Sequence, residues 1–222
     1  MIRLLLADDQ ALVRRGLRMI LETEPDFRVV AEAADGHEAL AGAAAHMPDV
    51  ILMDLRMPNL DGIAAIEQLP ADAKVLVLTT FSADAQIYAA LRAGASGYLL
   101  KTAPPEQLVA AVRTVAAGDA LLDPRITRRL VQEAISGPAP DASKAALSSL
   151  TDREVEVLEH VARGRSNTEI AAAVFLSEAT VKTYLGRVMT KTSARSRAQL
   201  VVLAYETGLV RPGDAVITAH PE

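Results

Sequence analysis

The chain has 222 residues, enough for one large domain or two small ones, each with its own core. Half of it is apolar and 23% is charged, a soluble globular composition, and the absence of cysteine excludes disulfides and thiolate-ligated metals. Taken whole, the net charge of −5 argues against a nucleic-acid binder.

No run approaches the roughly 18 apolar residues of a membrane span. Met1 to Ala7 passes straight into Asp8 and Asp9, not into a secretory leader. The default expectation is a cytoplasmic protein with no membrane partner.

The charge is unevenly spread. Residues 1–123 carry ten Lys/Arg against seventeen Asp/Glu, whereas residues 148–211 carry nine against seven. An acidic half followed by a mildly basic one suggests two domains with different partners. The expected division is a first domain at 1–122, a linker at 123–147, a second domain at 148–211 and a tail at 212–222. Ile126, Leu130, Val131 and Ile135 suggest a partial helix in the linker, and the Pro, Gly, Ser and Ala mixture over 136–147 reads as mobile.

In the first half, short apolar runs recur at Leu4-Leu6, Val29-Val30, Val50-Met53, Val75-Leu78 and Tyr98-Leu100. Helical spacing fills the gaps, as in Val13, Leu17, Ile20 and Leu21, or Leu108, Ala111, Val112 and Val115. Strands apolar along their whole length must be covered on both faces, so the expected fold is α/β, a doubly wound five-stranded parallel sheet. In such sheets function gathers at the carboxyl ends of the strands. The residues there are Asp8 and Asp9, Asp54, Thr79 and Thr80, and Lys101.

A strand order of 2-1-3-4-5 would bring these ends together. Three crowded carboxylates need a cation or a shared proton, and magnesium (or manganese) suits an all-oxygen ligand set. One aspartate could then be the nucleophile toward a phosphoryl group, with a lysine ammonium and a threonine hydroxyl holding the transferred oxygens. The duller alternative is that Asp8 and Asp9 merely cap the following helix and that Asp54 and Lys101 are solvated strand ends.

The stretches Leu-Ala-Asp8-Asp9-Gln, Leu-Met-Asp54-Leu-Arg-Met-Pro58-Asn-Leu-Asp61-Gly62, Val-Leu-Thr79-Thr-Phe and Ala93-Gly94-Ala-Ser-Gly97-Tyr98-Leu-Leu-Lys101 resemble the receiver domain of two-component response regulators. The resemblance implies Asp54 as phosphoacceptor. It implies a metal held by Asp8, Asp9, Asp54 and the backbone carbonyl of Arg56. It further implies phosphoryl contacts and a switch at Thr79, Tyr98 and Lys101, with Arg56 and Phe81 tuning phosphoryl lifetime. Many receivers have proline after the lysine, where this chain has Thr102, which leaves the geometry of that peptide bond open.

In the second half, Thr151-Asp-Arg-Glu154 and Ser166-Asn-Thr-Glu169 fit the capping box, and Ser177 fits a simple N-cap. A short helix, a tight turn and a longer helix bearing Lys182, Thr183, Arg187 and Lys191 match a helix-turn-helix, with Arg165, Arg195 and Arg197 as flanking phosphate contacts. An ordinary helical bundle with solvated charges is the alternative. The stretches Leu150 to Leu158, Ser166 to Ala171 and Leu176 to Thr183 resemble the LuxR-type DNA-binding domain, and with the receiver they are similar to the NarL/FixJ class.

The resemblance implies DNA contacts from Thr180, Lys182, Thr183, Arg187 and Lys191, with one contact missing at Gly186. It implies a dimer-forming helix with Ala198, Val201, Val202 and Tyr205, although core packing would account for the same apolar positions. The partners expected are a sensor histidine kinase, promoter DNA and a second copy of the chain. The expected function is transcription control and not turnover of a substrate. An aspartate-nucleophile phosphatase is the competing enzyme reading, and Arg56 stands where such enzymes commonly carry an acid/base aspartate.

Overall fold

A computed structural model describes residues 1–80, 84–119 and 141–211. The chain forms two compact units, residues 1–123 and 124–222. The expected helix over Ile126 to Ile135, Phe81, and the tail beyond Arg211 lie outside the described residues.

The first unit alternates strands and helices: β1 (Ile2–Ala7), α1 (Ala11–Leu21), β2 (Phe27–Ala33), α2 (Gly36–His46), β3 (Val50–Asp54), α3 (Gly62–Gln68), β4 (Val75–Thr79), α4 (Asp84–Ala93), β5 (Gly97–Leu100) and α5 (Pro105–Ala116). The sheet order is β2-β1-β3-β4-β5 and all four pairings are parallel. This is the doubly wound five-stranded parallel sheet anticipated from the apolar runs.

The two central strands β3 and β4 are buried at every position, because helices cover both faces. Leu4, Leu6, Val50, Leu52, Leu76 and Leu78 pack with Leu108, Val112 and Val115 of α5 in one core. Burying so many side chains, at about 1.5–3 kcal/mol each, is what holds a sheet with polar strand ends together.

The second unit is helical: α6 (Asp141–Ser148), α7 (Asp152–Ala162), α8 (Asn167–Ala173), α9 (Glu178–Thr192) and α10 (Arg197–Glu206). The segment expected to be linker through residue 147 is corrected here, since Asp141–Ser148 is helical and Ser143 Oγ donates to Glu206 of α10 at 2.9 Å. Both anticipated capping boxes form, Thr151 with Glu154 and Ser166 with Glu169, and Ser177 caps α9 by accepting from the Thr180 N–H. Each cap satisfies amides that the first turn of a helix would otherwise leave without partners.

α10 is buried along nearly its whole circumference, from Ala198 through Tyr205. Among the described residues, no helix is long and apolar enough to cross a membrane.

Candidate functional site

The carboxyl ends of β1, β3, β4 and β5 converge as the strand order requires. Asp8, Asp54 and Thr79 are buried, with only 2%, 6% and 2% of their surface exposed, while Asp9 faces solvent. Asp8, Asp9 and Asp54 each offer a carboxylate oxygen within 4.8 Å of the others. Lys101 reaches into this cluster, its ammonium 2.5 Å from Asp8 Oδ2 and 2.8 Å from Asp54 Oδ2.

The Arg56 backbone N–H also donates to the Asp54 carboxylate. Burial raises the Asp54 pKa above the ordinary carboxylate value, and the Lys101 ammonium opposes that rise without cancelling it. For Lys101, burial disfavours the charged form, but the hydrogen bonds its ammonium donates to Asp54 and Asp8 prevail and hold its pKa above the usual lysine value.

Three carboxylates and one ammonium leave a formal surplus of two negative charges at one sheet edge. The donor set is all oxygen, and the surplus matches a divalent cation, so these residues fit magnesium. The duller reading of the acid pair as helix caps does not survive. The N-cap of α1 is Gln10, and Asp8 Oδ1 accepts from the Gln10 N–H at 2.9 Å as part of the loop before the helix.

Register places Thr79 opposite Leu100 and Val77 opposite Tyr98, so by two-residue alternation Thr79 and Tyr98 share one face of the sheet. The Tyr98 ring is buried. The Lys101 amide donates to the Thr79 carbonyl at 2.9 Å, which fixes the lysine stem beside β4. The bond from Lys101 to Thr102 is trans, as are all peptide bonds among the described residues.

Two supporting residues were not read as such from the sequence. Arg14 Nη1 donates to the Asp8 carbonyl at 2.6 Å, tying α1 to the acid loop. A Cβ at Gly62 would stand 2.1 Å from the Asp54 carbonyl oxygen, so α3 can approach the phosphoacceptor candidate only with glycine there. The Gly62 next to Asp61 in the sequence motif was the available signal, and its meaning needed the three-dimensional approach of α3 to β3.

In the second unit, Lys182, Thr183 and Arg187 stand exposed on α9, opposite the buried Val181, Leu185 and Val188. The Arg187 guanidinium rests over the Tyr184 ring at 5.8 Å from its centroid. The Thr180 hydroxyl is half-buried and bonded to Ser177 Oγ at 2.8 Å.

Lys191, expected among the DNA contacts, is engaged inside the domain. Its ammonium lies 2.7 Å from Glu154, a carboxylate whose side chain is 4% exposed and which also accepts from the Thr151 N–H. A buried carboxylate needs a cation, and the Lys191 ammonium supplies one while 37% of its side chain stays exposed. Arg197 is likewise committed within the domain, donating to Asn167 Oδ1 at 2.6 Å and to the Arg165 carbonyl.

The four positions expected to pair two copies lie in the core of a single domain. Ala198, Val201, Val202 and Tyr205 are each 5% exposed or less within a single chain, and the Tyr205 hydroxyl donates to the Ala162 carbonyl. A helix apolar all round is a core helix, so these side chains are already spent on the domain's own packing.

Comparison with known proteins agrees with this division. Residues 4–113 match the response regulator receiver domain, and residues 148–204 match the LuxR family of bacterial regulatory proteins. The chain belongs to the response regulators that join a receiver to a LuxR-type DNA-binding domain. It is thus a transcriptional regulator of the two-component kind, not a classical enzyme.

An uncharacterized transcriptional regulatory protein YxjL of Bacillus subtilis is 39% identical over 95% of this chain and 98% of its own. The oxygen regulatory protein NreC of Staphylococcus carnosus is 40% identical over 94% of this chain and 99% of its own. Among solved structures, the response regulator ChrA of a heme-sensing two-component system is 38% identical over 94% of this chain and 98% of that one, with a TM-score of 0.51.

Proposed function

We propose that Asp54 is the phosphoacceptor, that a sensor histidine kinase is the donor and that promoter DNA is the target, in the cytoplasm. The observation that supports this most is Lys101, whose ammonium touches both Asp8 and Asp54 at the end of the sheet. A carboxylate oxygen of Asp54 attacks phosphorus as the bond from phosphorus to the donor nitrogen breaks, leaving an acyl phosphate on Asp54 and an imidazole that takes up a proton. Lys101 and Thr79 are placed to hold the transferred oxygens by charge and by hydroxyl donation.

Asp8, Asp9, Asp54 and the Arg56 carbonyl would hold a magnesium or manganese ion. When bound, it would supply neutralisation of the phosphoryl charge. Movement of the Thr79 hydroxyl toward phosphate would free space on the face it shares with Tyr98, giving the ring room to move and carrying the change outward.

The activated chain binds DNA as a homodimer, with Thr180, Lys182, Thr183 and Arg187 toward the duplex, and it pairs through a surface other than the four core positions of α10. The test is labelling with a small phosphodonor and magnesium. The wild type should take up an acid-stable, base-labile label and Asp54→Ala should take up none. Equal labelling of the two would overturn the assignment.

A further inference from the structure

Gly186 stands near the middle of α9, in ordinary right-handed helix. Glycine there destabilises the helix by loosening the unfolded chain and burying nothing. At several other glycines the fold gives a reason: at Gly62 and Gly36 a Cβ would strike backbone, and Gly164 and Gly208 have positive φ, whereas Gly16 of α1 stands in open space as Gly186 does. At Gly186 neither reason applies, because no atom lies within 4 Å of where a Cβ would be.

What remains is the surface that the residue faces. At about 100° per residue, Gly186 points between Lys182, about 40° away on one side, and Arg187, about 100° away on the other. Thr183 and Thr190 share this face, and the Thr190 hydroxyl donates inward to the Gly186 carbonyl at 2.9 Å, so it adds little height there. The recognition helix is therefore lowest at Gly186, with long cations rising on both sides.

We infer that Gly186 is a positioning residue for DNA binding, the point where the α9 backbone comes closest to the duplex. It is thus not a place where a contact is merely missing. The bare backbone lets the helix seat deeply enough for Lys182 and Arg187 to engage on either side. A side chain at 186 would hold the helix away and weaken all of these contacts together. The inference rests on α9 being the DNA-reading helix.

The test uses the full-length, phosphodonor-treated chain and a duplex of about four helical turns enriched from a random pool by the wild type, long enough for two half-sites. Gly186→Ala should raise the melting temperature of the second unit by a few degrees without DNA and weaken duplex binding roughly tenfold. Gly186→Lys should weaken it further, although it adds a positive charge. Gly16→Ala, in α1 with the same open surroundings, should stabilise the receiver and leave DNA binding unchanged.

Gly186→Ala binding within twofold of wild type would overturn the inference. So would tighter binding by Gly186→Lys, which is what a missing contact predicts, or a lower melting temperature for Gly186→Ala. Failure of the wild type to enrich any duplex would instead overturn the DNA-reading assignment of α9 itself.

Discussion

A lysine ammonium between two buried carboxylates is an arrangement the fold must support by itself whenever no cation is bound. Asp8 and Asp54 side chains are 3% and 7% exposed, so each depends on Lys101 for most of its charge compensation. Lys101→Met should cost the receiver about 3–5 kcal/mol in metal-free buffer near neutral pH, the range for a buried pair that loses one partner. The pH sign follows from Asp54, whose pKa is already raised by burial and would rise further without the ammonium. A carboxyl that binds its proton more tightly folded than unfolded is penalised when ionised, so the deficit of the variant should shrink as pH falls through the raised folded value. Urea unfolding at neutral and mildly acid pH measures both. A variant as stable as wild type at neutral pH would show that Lys101 is not the compensating charge.

At the scale of elements, the Glu154 and Lys191 pair joins the start of α7 to the end of α9. The Lys191 hydrogen bond, with help from the Thr151 amide, holds the Glu154 pKa below the ordinary glutamate value. Stability from a depressed carboxylate is complete above its unfolded value and is lost as pH falls through the folded one. Lys191→Met should therefore destabilise the second unit at neutral pH by about 1–2 kcal/mol, the lower part of the range for charged hydrogen bonds because the lysine is partly exposed. The difference from wild type should fade below about pH 4, and DNA affinity should change far less than in Lys182→Ala. Comparable DNA losses in the two variants would return Lys191 to the DNA face.

These elements also mark how far the chain could be read in advance. Capping boxes are local, so Thr151 with Glu154 and Ser166 with Glu169 were legible, as were the five apolar strands and the polar residues after them. Whether a lysine on α9 faces DNA or a buried glutamate 37 residues away depends on tertiary contact, which spacing cannot supply. The same holds for α10. Apolar positions all around a helix show that it is covered, but not whether its own domain or a second copy covers it. The helix at Asp141–Ser148 was hidden by a Pro-, Gly- and Ala-rich neighbourhood, and its docking rests on a contact from Ser143 to Glu206 across 63 residues.

For the whole molecule, the net charge of −5 is a sum over two units with opposite tasks. The acidic first unit includes the three carboxylates of the strand-end cluster, and the second has only a small basic surplus over 148–211. Its cations are further reduced in availability: Lys191 is paired with Glu154, Arg153 with Glu156, Arg163 with Glu159 and Arg197 with Asn167. On α9 this leaves Lys182 and Arg187 for the proposed duplex contacts, two cations per copy and four in the proposed dimer. Each neutralised phosphate contributes about −0.9 to the slope of log affinity against log salt, so a dimer should show a slope of about −4 and a lone copy about −2. Titrating the enriched duplex with the full chain over a range of salt measures it, and Lys182→Ala should make the dimer slope shallower by about 2, one phosphate contact per copy. A slope steeper than about −7 would mean that cations beyond α9 reach the phosphates. Arg165 and Arg195, which flank the helix-turn-helix, would then be the first to replace, followed by Arg125, Arg128 and Arg129, between the two domains in sequence.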